Sequence, residues 1–160
     1  VPTCGYLFKE KEGCRHIDRE MMNCYNIPIS QINNIKAGAD WTDEDGKVIP
    51  NAKLTKPADK ARSYAYCSDT KYIPNLYKSL ENVNVLYHES TYAKDNEGRA
   101  KMYYHSTAEQ AARVAKEAGA GKLLLGHFSA RYEDESCLLD EAKSIFENSF
   151  LTNEGMVFDV

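Results

Sequence analysis

The residues able to do acid–base or metal chemistry gather where short apolar runs end. Leu123-Leu124-Leu125-Gly126 leads into His127, Ser129 and Arg131; Ala65-Tyr66-Cys67 leads into Ser68-Asp69-Thr70; Val83 to Tyr87 leads into His88-Glu89-Ser90. Apolar runs of this length, bounded by glycine or polar residues, read as buried strands. In open α/β sheets, sites form outside the carboxyl ends of strands, because loops there converge on a ligand while the sheet holds them rigid. The pattern therefore predicts that Asp69, Glu89 and His127 reach one common edge.

Asp69 and His127 offer a carboxylate and an imidazole, ligand types that suit zinc and manganese. The two match no ligand spacing, and a catalytic zinc usually takes three protein ligands, so a metal here needs partners from elsewhere. On residue type alone it stays open whether Asp69 instead caps a turn and His127 bonds a backbone carbonyl. Glu89 and His105 form a second pair, suited to proton transfer towards a leaving oxygen. The plainer reading makes His105 a neighbour of a helix N-cap and Glu89 a solvated loop residue. His88 adjoins Glu89 on a strand whose side chains alternate, so it is expected to face the other way and be structural. His16, among Arg15, Asp18 and Arg19, is expected at the surface. Ser129 and Arg131 can touch phosphate, although Arg131 can equally pair with Glu133 or Asp134. Tyr92, Lys94, Arg99, Lys101, Tyr103 and Tyr104 mix basic and aromatic groups, a stretch read as a solvated loop and compatible with RNA contact.

The elements that must position these groups follow from periodicity. From Arg62 onward strands alternate with helices, which implies a layered α/β domain. The best-signalled helix runs from Thr107 to Ala118, with Ala108, Ala111, Ala112, Ala115 and Ala118 on one face, Gly119 as stop, and Ser106 with Glu109 as a capping box. A short helix is expected from Pro74 to Leu80, another through Leu138 to Phe146, and a closing strand from Met156 to Val160. Upstream, Gly5 to Phe8 reads as a strand and Asp18 to Tyr25 as a weak helix. Ile29, Ile32 and Ile35 keep helical spacing up to Gly38, and Trp41 to Lys60 reads as a polar excursion with one small hairpin at Asp45-Gly46.

With 160 residues the chain is expected to form one domain over 1–160, burying on the order of 70% of its unfolded surface. The formal charge of −4 argues against broad attraction to nucleic acid or membrane, so RNA contact would need a local basic patch. No apolar run approaches the ~20 residues of a membrane helix, and the chain reads as soluble. The five cysteines are odd in number and lack a Cys-x-x-Cys, which fits free, mostly buried thiols in a reducing cytoplasm. The first residue is not methionine, and the chain is expected to be a fragment.

The motifs Ala65-Tyr66-Cys67-Ser68-Asp69-Thr70, His88-Glu89-Ser90-Thr91-Tyr92, His105-Ser106-Thr107-Ala108 and His127-Phe128-Ser129-Ala130-Arg131-Tyr132 resemble, in order and approximate spacing, those of ribonuclease Z. That family has the metallo-β-lactamase fold and trims the 3′ trailer from precursor tRNA. Val1-Pro2, Gly5-Tyr6, Ile27-Pro28, Lys36-Ala37-Gly38, Asp45-Gly46, Pro57 and Arg62 extend the likeness over essentially the whole chain, while Ser68 stands where the family usually has glycine. The resemblance implies an α/β fold, the C-terminal half of a metallo-β-lactamase-type αββα sandwich. It makes Asp69 a bridging ligand of two zinc ions, His127 a ligand of the second zinc, and Glu89 and His105 the pair near the scissile phosphate. It also implies a cytoplasmic homodimer with precursor tRNA as partner and no membrane. The family's His-x-His-x-Asp-His zinc run does not occur here, so the resemblance implies a half-site that is inactive alone. Two other readings are a non-catalytic scaffold, dimerisation or RNA-binding domain of the same fold, and a metallo-hydrolase of a small substrate.

Overall fold

The structure, a computed structural model, describes residues 2–160; Val1, where the resemblance begins, lies outside them. Two compact units emerge, one made of the residues up to Lys9 together with Arg62–Val160, the other of Glu10–Ala61. The larger unit opens with strand β1 (Tyr6–Lys9).

In the smaller unit, β2 (His16–Ile17) precedes helix α1 (Arg19–Cys24), whose first turn is capped by the Asp18 carboxylate accepting from the backbone N–H of Glu20 and Met21. Helix α2 (Ile32–Lys36) follows a 3-10 turn at Ile29–Gln31, and Gly38, at φ 107°, ends the pattern. The polar excursion contains the expected hairpin, β3 (Trp41–Thr42) against β4 (Val48–Ile49), with the Asp43 carboxylate closing the turn by accepting from Asp45 and Lys47. It then adds α3 (Asn51–Leu54) and β5 (Thr55–Lys56), which pairs with β2. Met22, Ile27, Ile35, Ile49 and Leu54 form this unit's own core.

The larger unit continues with β6 (Ser63–Cys67), β7 (Val85–Glu89), helices α4 (Glu97–Tyr103) and α5 (Ala108–Ala118), β8 (Lys122–Gly126), α6 (Ser136–Lys143) and β9 (Ser149–Leu151). Its five-stranded sheet has the order β1-β6-β7-β8-β9, with β1 antiparallel and the rest parallel. Ala65, Leu86, Leu123 and Leu125 point to one face, where they pack with the alanines of α5 and with Leu138 and Ala142 of α6. Small side chains let the helix backbone approach the sheet closely, and each fully buried leucine contributes about 1.5–3 kcal/mol. The alternation of side chains along the strands sends a different set to the opposite face: Tyr6 and Phe8, Tyr64 and Tyr66, Tyr87, Leu124 and Phe150. There Tyr6 stacks on Phe8, Phe8 on Tyr64 and Tyr66 on Tyr87. Tyr6 and Phe8 keep 58% of their surface in solvent.

Several boundaries differ from the sequence reading. The stretch 74–80 folds only as a 3-10 turn at Leu76–Ser79. The strand expected at Val83 starts at Val85 and includes His88 and Glu89; Val83 is apolar because it is buried in a turn, where its N–H donates to Leu80. The capping box of α5 is Thr107 with Gln110, one residue later than expected, because Ser106 donates its hydroxyl to the Thr70 carbonyl. The solvated loop contains helix α4. The closing strand is β9, whereas Val157 lies 90% exposed beyond it. All five cysteines are free as expected, but only Cys67 is buried, and that burial pushes its thiol pKa up to about 11. No helix among the described residues is long and apolar enough to cross a membrane.

Candidate functional site

Parallel pairing sets the carboxyl ends of three strands level, with Cys67 beside His88, His88 beside Leu125, and Glu89 beside Gly126. Two of the exits turn sharply. Asp69, after β6, has φ 52°, and His127, after β8, has φ 60°. Left-handed backbone costs a residue with a Cβ about 1–2 kcal/mol, and Asp and His are among the side chains that accept it. Such strain gathers where the chain must aim a functional group. Gly126 is fixed by space: a Cβ there would lie 2.7 Å from carbons of the Tyr87 ring.

Glu89 is fully buried, and its carboxylate is the hub of the site. Oε1 accepts from the Thr70 backbone N–H (2.7 Å) and from His105 Nδ1 (3.0 Å). Oε2 accepts from the Thr91 N–H (3.3 Å), the Thr91 hydroxyl (2.5 Å) and the Ser106 N–H (3.1 Å). Burying a carboxylate is tolerable only when its lone pairs are met in this way.

The Thr91 hydroxyl has one proton. Oγ1 lies 2.5 Å from Glu89 Oε2 and 2.9 Å from the His127 carbonyl oxygen, and we give the proton to the shorter bond, in the range of a charge-assisted O–H···O⁻ contact. Thr91 Oγ1 is then an acceptor for His127 Nδ1 at 2.9 Å. His105 Nδ1 likewise donates to Glu89. Both imidazoles therefore carry their proton on Nδ1 and keep Nε2 for a metal, a proton or a substrate. The rings lie 5.3 Å apart, and His105 Nδ1 is also 3.6 Å from Asp69 Oδ1.

The structure thus gathers Asp69, Glu89, His105 and His127 around one strand edge. Ligand atoms of Glu89, His105 and His127 lie within 4.8 Å of one another, a grouping able to hold a cation. The donors already on Glu89 occupy its lone pairs, so we assign it to orienting His105 rather than to ligation. Asp69, with 60% of its side chain exposed, and the exposed His127 have the open ligand atoms. His88 faces the helices: Nδ1–H donates to the Glu89 carbonyl at 2.8 Å, Nε2 has no partner, and burial lowers its pKa. His16 lies in the other unit and pairs with Asp59 at 3.2 Å. Arg131 pairs with neither Glu133 nor Asp134; it donates to Ser129 Oγ (3.3 Å) and Asn96 Oδ1 (3.0 Å) and stacks 5.0 Å from the Tyr92 ring centroid. Thr91 had no assigned role in the sequence reading. The available signal was a hydroxyl two residues beyond a strand-end glutamate.

Residues 53–128 match the β-lactamase superfamily domain, a span containing Asp69, Glu89, His105 and His127. A ribonuclease Z of Phocaeicola vulgatus is 49% identical over 160 residues, covering 100% of this chain and 52% of that protein. A ribonuclease Z of Bacteroides fragilis is 50% identical over 156 residues, covering 98% of this chain and 51% of its own length. Residues 53–128 thus carry the β-lactamase superfamily match, and the chain is similar along its whole length to ribonuclease Z. It spans about half the length of these curated relatives. Among solved structures, the metallo-β-lactamase fold protein YhfI of Bacillus subtilis superposes with a TM-score of 0.57 at 28% identity, covering 66% of this chain and 45% of that one. The α/β fold expected from the sequence is therefore the metallo-β-lactamase fold.

Proposed function

We propose that this chain is the C-terminal half of a zinc-dependent endoribonuclease that removes the 3′ trailer from precursor tRNA. The observation that carries the reading is near-50% identity to ribonuclease Z along the whole chain, over a site in which Glu89 and Thr91 hold two imidazoles with Nε2 free. Asp69 and His127 fit a zinc site as carboxylate and imidazole ligands, and the remaining ligands come from outside this chain. A bound metal there supplies Lewis acidity that activates water and neutralises phosphate charge.

This chain's own contribution is proton transfer. Glu89 fixes the His105 ring through Nδ1–H; with a second proton taken up on Nε2, the imidazolium gives that Nε2 proton to the leaving ribose oxygen and returns to the neutral Nδ1–H form. Ser129 and Arg131, which follow His127 on the same loop, are the groups that would bind an adjoining phosphate. The aromatic sheet face of the larger unit supports the half-sandwich reading, since a second sheet would cover it in an αββα arrangement. The five free cysteines support a cytoplasmic setting, and the resemblance supports a homodimer.

The test is cleavage of a precursor tRNA by the full-length protein with and without added zinc. Metal-dependent release of the trailer is the expected result. A protein that binds zinc yet leaves the tRNA intact would exclude the reading, and one that binds neither would restore the scaffold alternative.

A further inference from the structure

Beside His105 lies a cavity of about 500 Å³ lined by Lys71, Tyr72, Lys101 and Tyr104. A second hollow of about 440 Å³ is bounded by Asp69, Thr70 and Tyr103, and Lys71 and Tyr104 belong to both. Tyr104 is thus a shared wall between the proton-transfer group and the exposed carboxylate.

Its conformation is informative. Tyr104 caps the C-terminus of α4 at φ 62° and ψ 37°, and its surface is 68% exposed. The cap alone favours glycine or asparagine, and a bulky side chain in the left-handed region is an outlier. An exposed ring adds little to the core, so folding does not account for tyrosine here. Charges of both signs surround it, with Glu97 on the first cavity and Asp69 on the second, and two lysines stand among them. Lys71 Nζ sits 6.0 Å from the ring centroid, and Lys101 makes no ion pair among the described residues. Glu97, the one acidic group lining the first cavity, already accepts from Gln110 Nε2 at 3.0 Å.

An open aromatic face flanked by ammonium groups is the chemistry that binds single-stranded nucleic acid, by base stacking and phosphate pairing. We propose that Tyr104, with Lys71 and Lys101, is the platform for a single-stranded nucleotide adjoining the scissile phosphate. The base stacks on the ring, and the backbone phosphates pair with the two lysines. This rests on the ribonuclease reading, and the test separates the two.

The probe is a fluorescein-labelled hexauridylate, titrated by anisotropy into the full-length protein in chelator at several salt concentrations. Tyr104→Gly suits the left-handed cap, so the fold is kept, and Tyr104→Phe keeps the ring. Losing one stacked base weakens binding roughly 5- to 150-fold; Tyr104→Gly should show that loss at an unchanged or higher melting temperature, with Tyr104→Phe within about twofold of the parent. Lys71→Ala with Lys101→Ala should flatten the plot of log affinity against log salt by about 0.7 per lost phosphate contact. Unchanged affinity and salt slope in these variants would overturn the platform, even in a protein that cleaves precursor tRNA. Tyr104-dependent binding in a protein that does not cleave would keep the platform and remove the ribonuclease reading.

Discussion

Glu89→Gln tests whether the buried carboxylate organises the site. The amide has one oxygen where the carboxylate has two. With that oxygen in the Oε1 position, Thr70 N–H and His105 Nδ1–H keep their acceptor, but the NH2 group faces the N–H groups of Thr91 and Ser106. The Thr91 hydroxyl can turn and accept; the two backbone donors cannot. The opposite orientation orphans the Thr70 and His105 donors instead. Each orphaned buried donor costs about 1–3 kcal/mol, so either orientation destabilises by about 2–6 kcal/mol. That is a large part of a typical domain stability of about 5–15 kcal/mol. Urea unfolding of the full-length protein in chelator measures it, with Asp69→Asn as control. That exposed carboxylate sits at φ 52°, which asparagine accepts equally, so the control should change stability by no more than about 0.5 kcal/mol. A loss below about 1 kcal/mol in Glu89→Gln, or one equal to the control, would refute the reasoning.

Gly126→Ala should cost about 1–3 kcal/mol, read as a lowered urea midpoint, because its Cβ would meet the Tyr87 ring at 2.7 Å. Thr91→Val removes the acceptor for His127 Nδ1 and should weaken metal binding about 10- to 100-fold in a chelator-competition titration, whereas Thr91→Ser should retain it. Iodoacetamide at pH 8 should alkylate Cys4, Cys14, Cys24 and Cys137 and spare Cys67 until the protein is unfolded, as mass spectrometry of the peptides will show. The Cys67 pKa is raised from 9.0 to about 11 on folding, so the stability from its buried neutral thiol is complete below pH 9 and is lost as pH rises through 11; Cys67→Ala should flatten that alkaline decline.

Much of the fold was legible because the parallel strands and α5 have distinct periodicities and α5 ends at Gly119 in the left-handed conformation, φ 63°. The strand edge was legible for a related reason: a run such as Leu123-Leu124-Leu125 has to be buried, and polar residues immediately after it must emerge at the sheet edge. What sequence could not show was polar pairing across distance. His88 and Glu89 extend β7 because a carbonyl accepts from His88 Nδ1 and donors from separate segments, Thr70 and Ser106 among them, satisfy the Glu89 carboxylate in the interior. The same holds for the Thr91 hydroxyl, which meets His127, 36 residues away. Met156 to Val160 shows the converse: an apolar run suggests a strand, but β9 pairs with β8 instead and leaves Val157 in solvent.

The central claim separates two jobs within one cluster: Asp69 and His127 hold metal, while His105, oriented by Glu89, moves a proton. Single-turnover cleavage of precursor tRNA, with metal content measured on the same samples of full-length protein, tests it most directly. His105→Ala should slow cleavage by about 10²–10⁴-fold with metal content unchanged, whereas His127→Ala should lose metal and activity together. Loss of metal in His105→Ala equal to that in His127→Ala would contradict the account and make His105 a ligand.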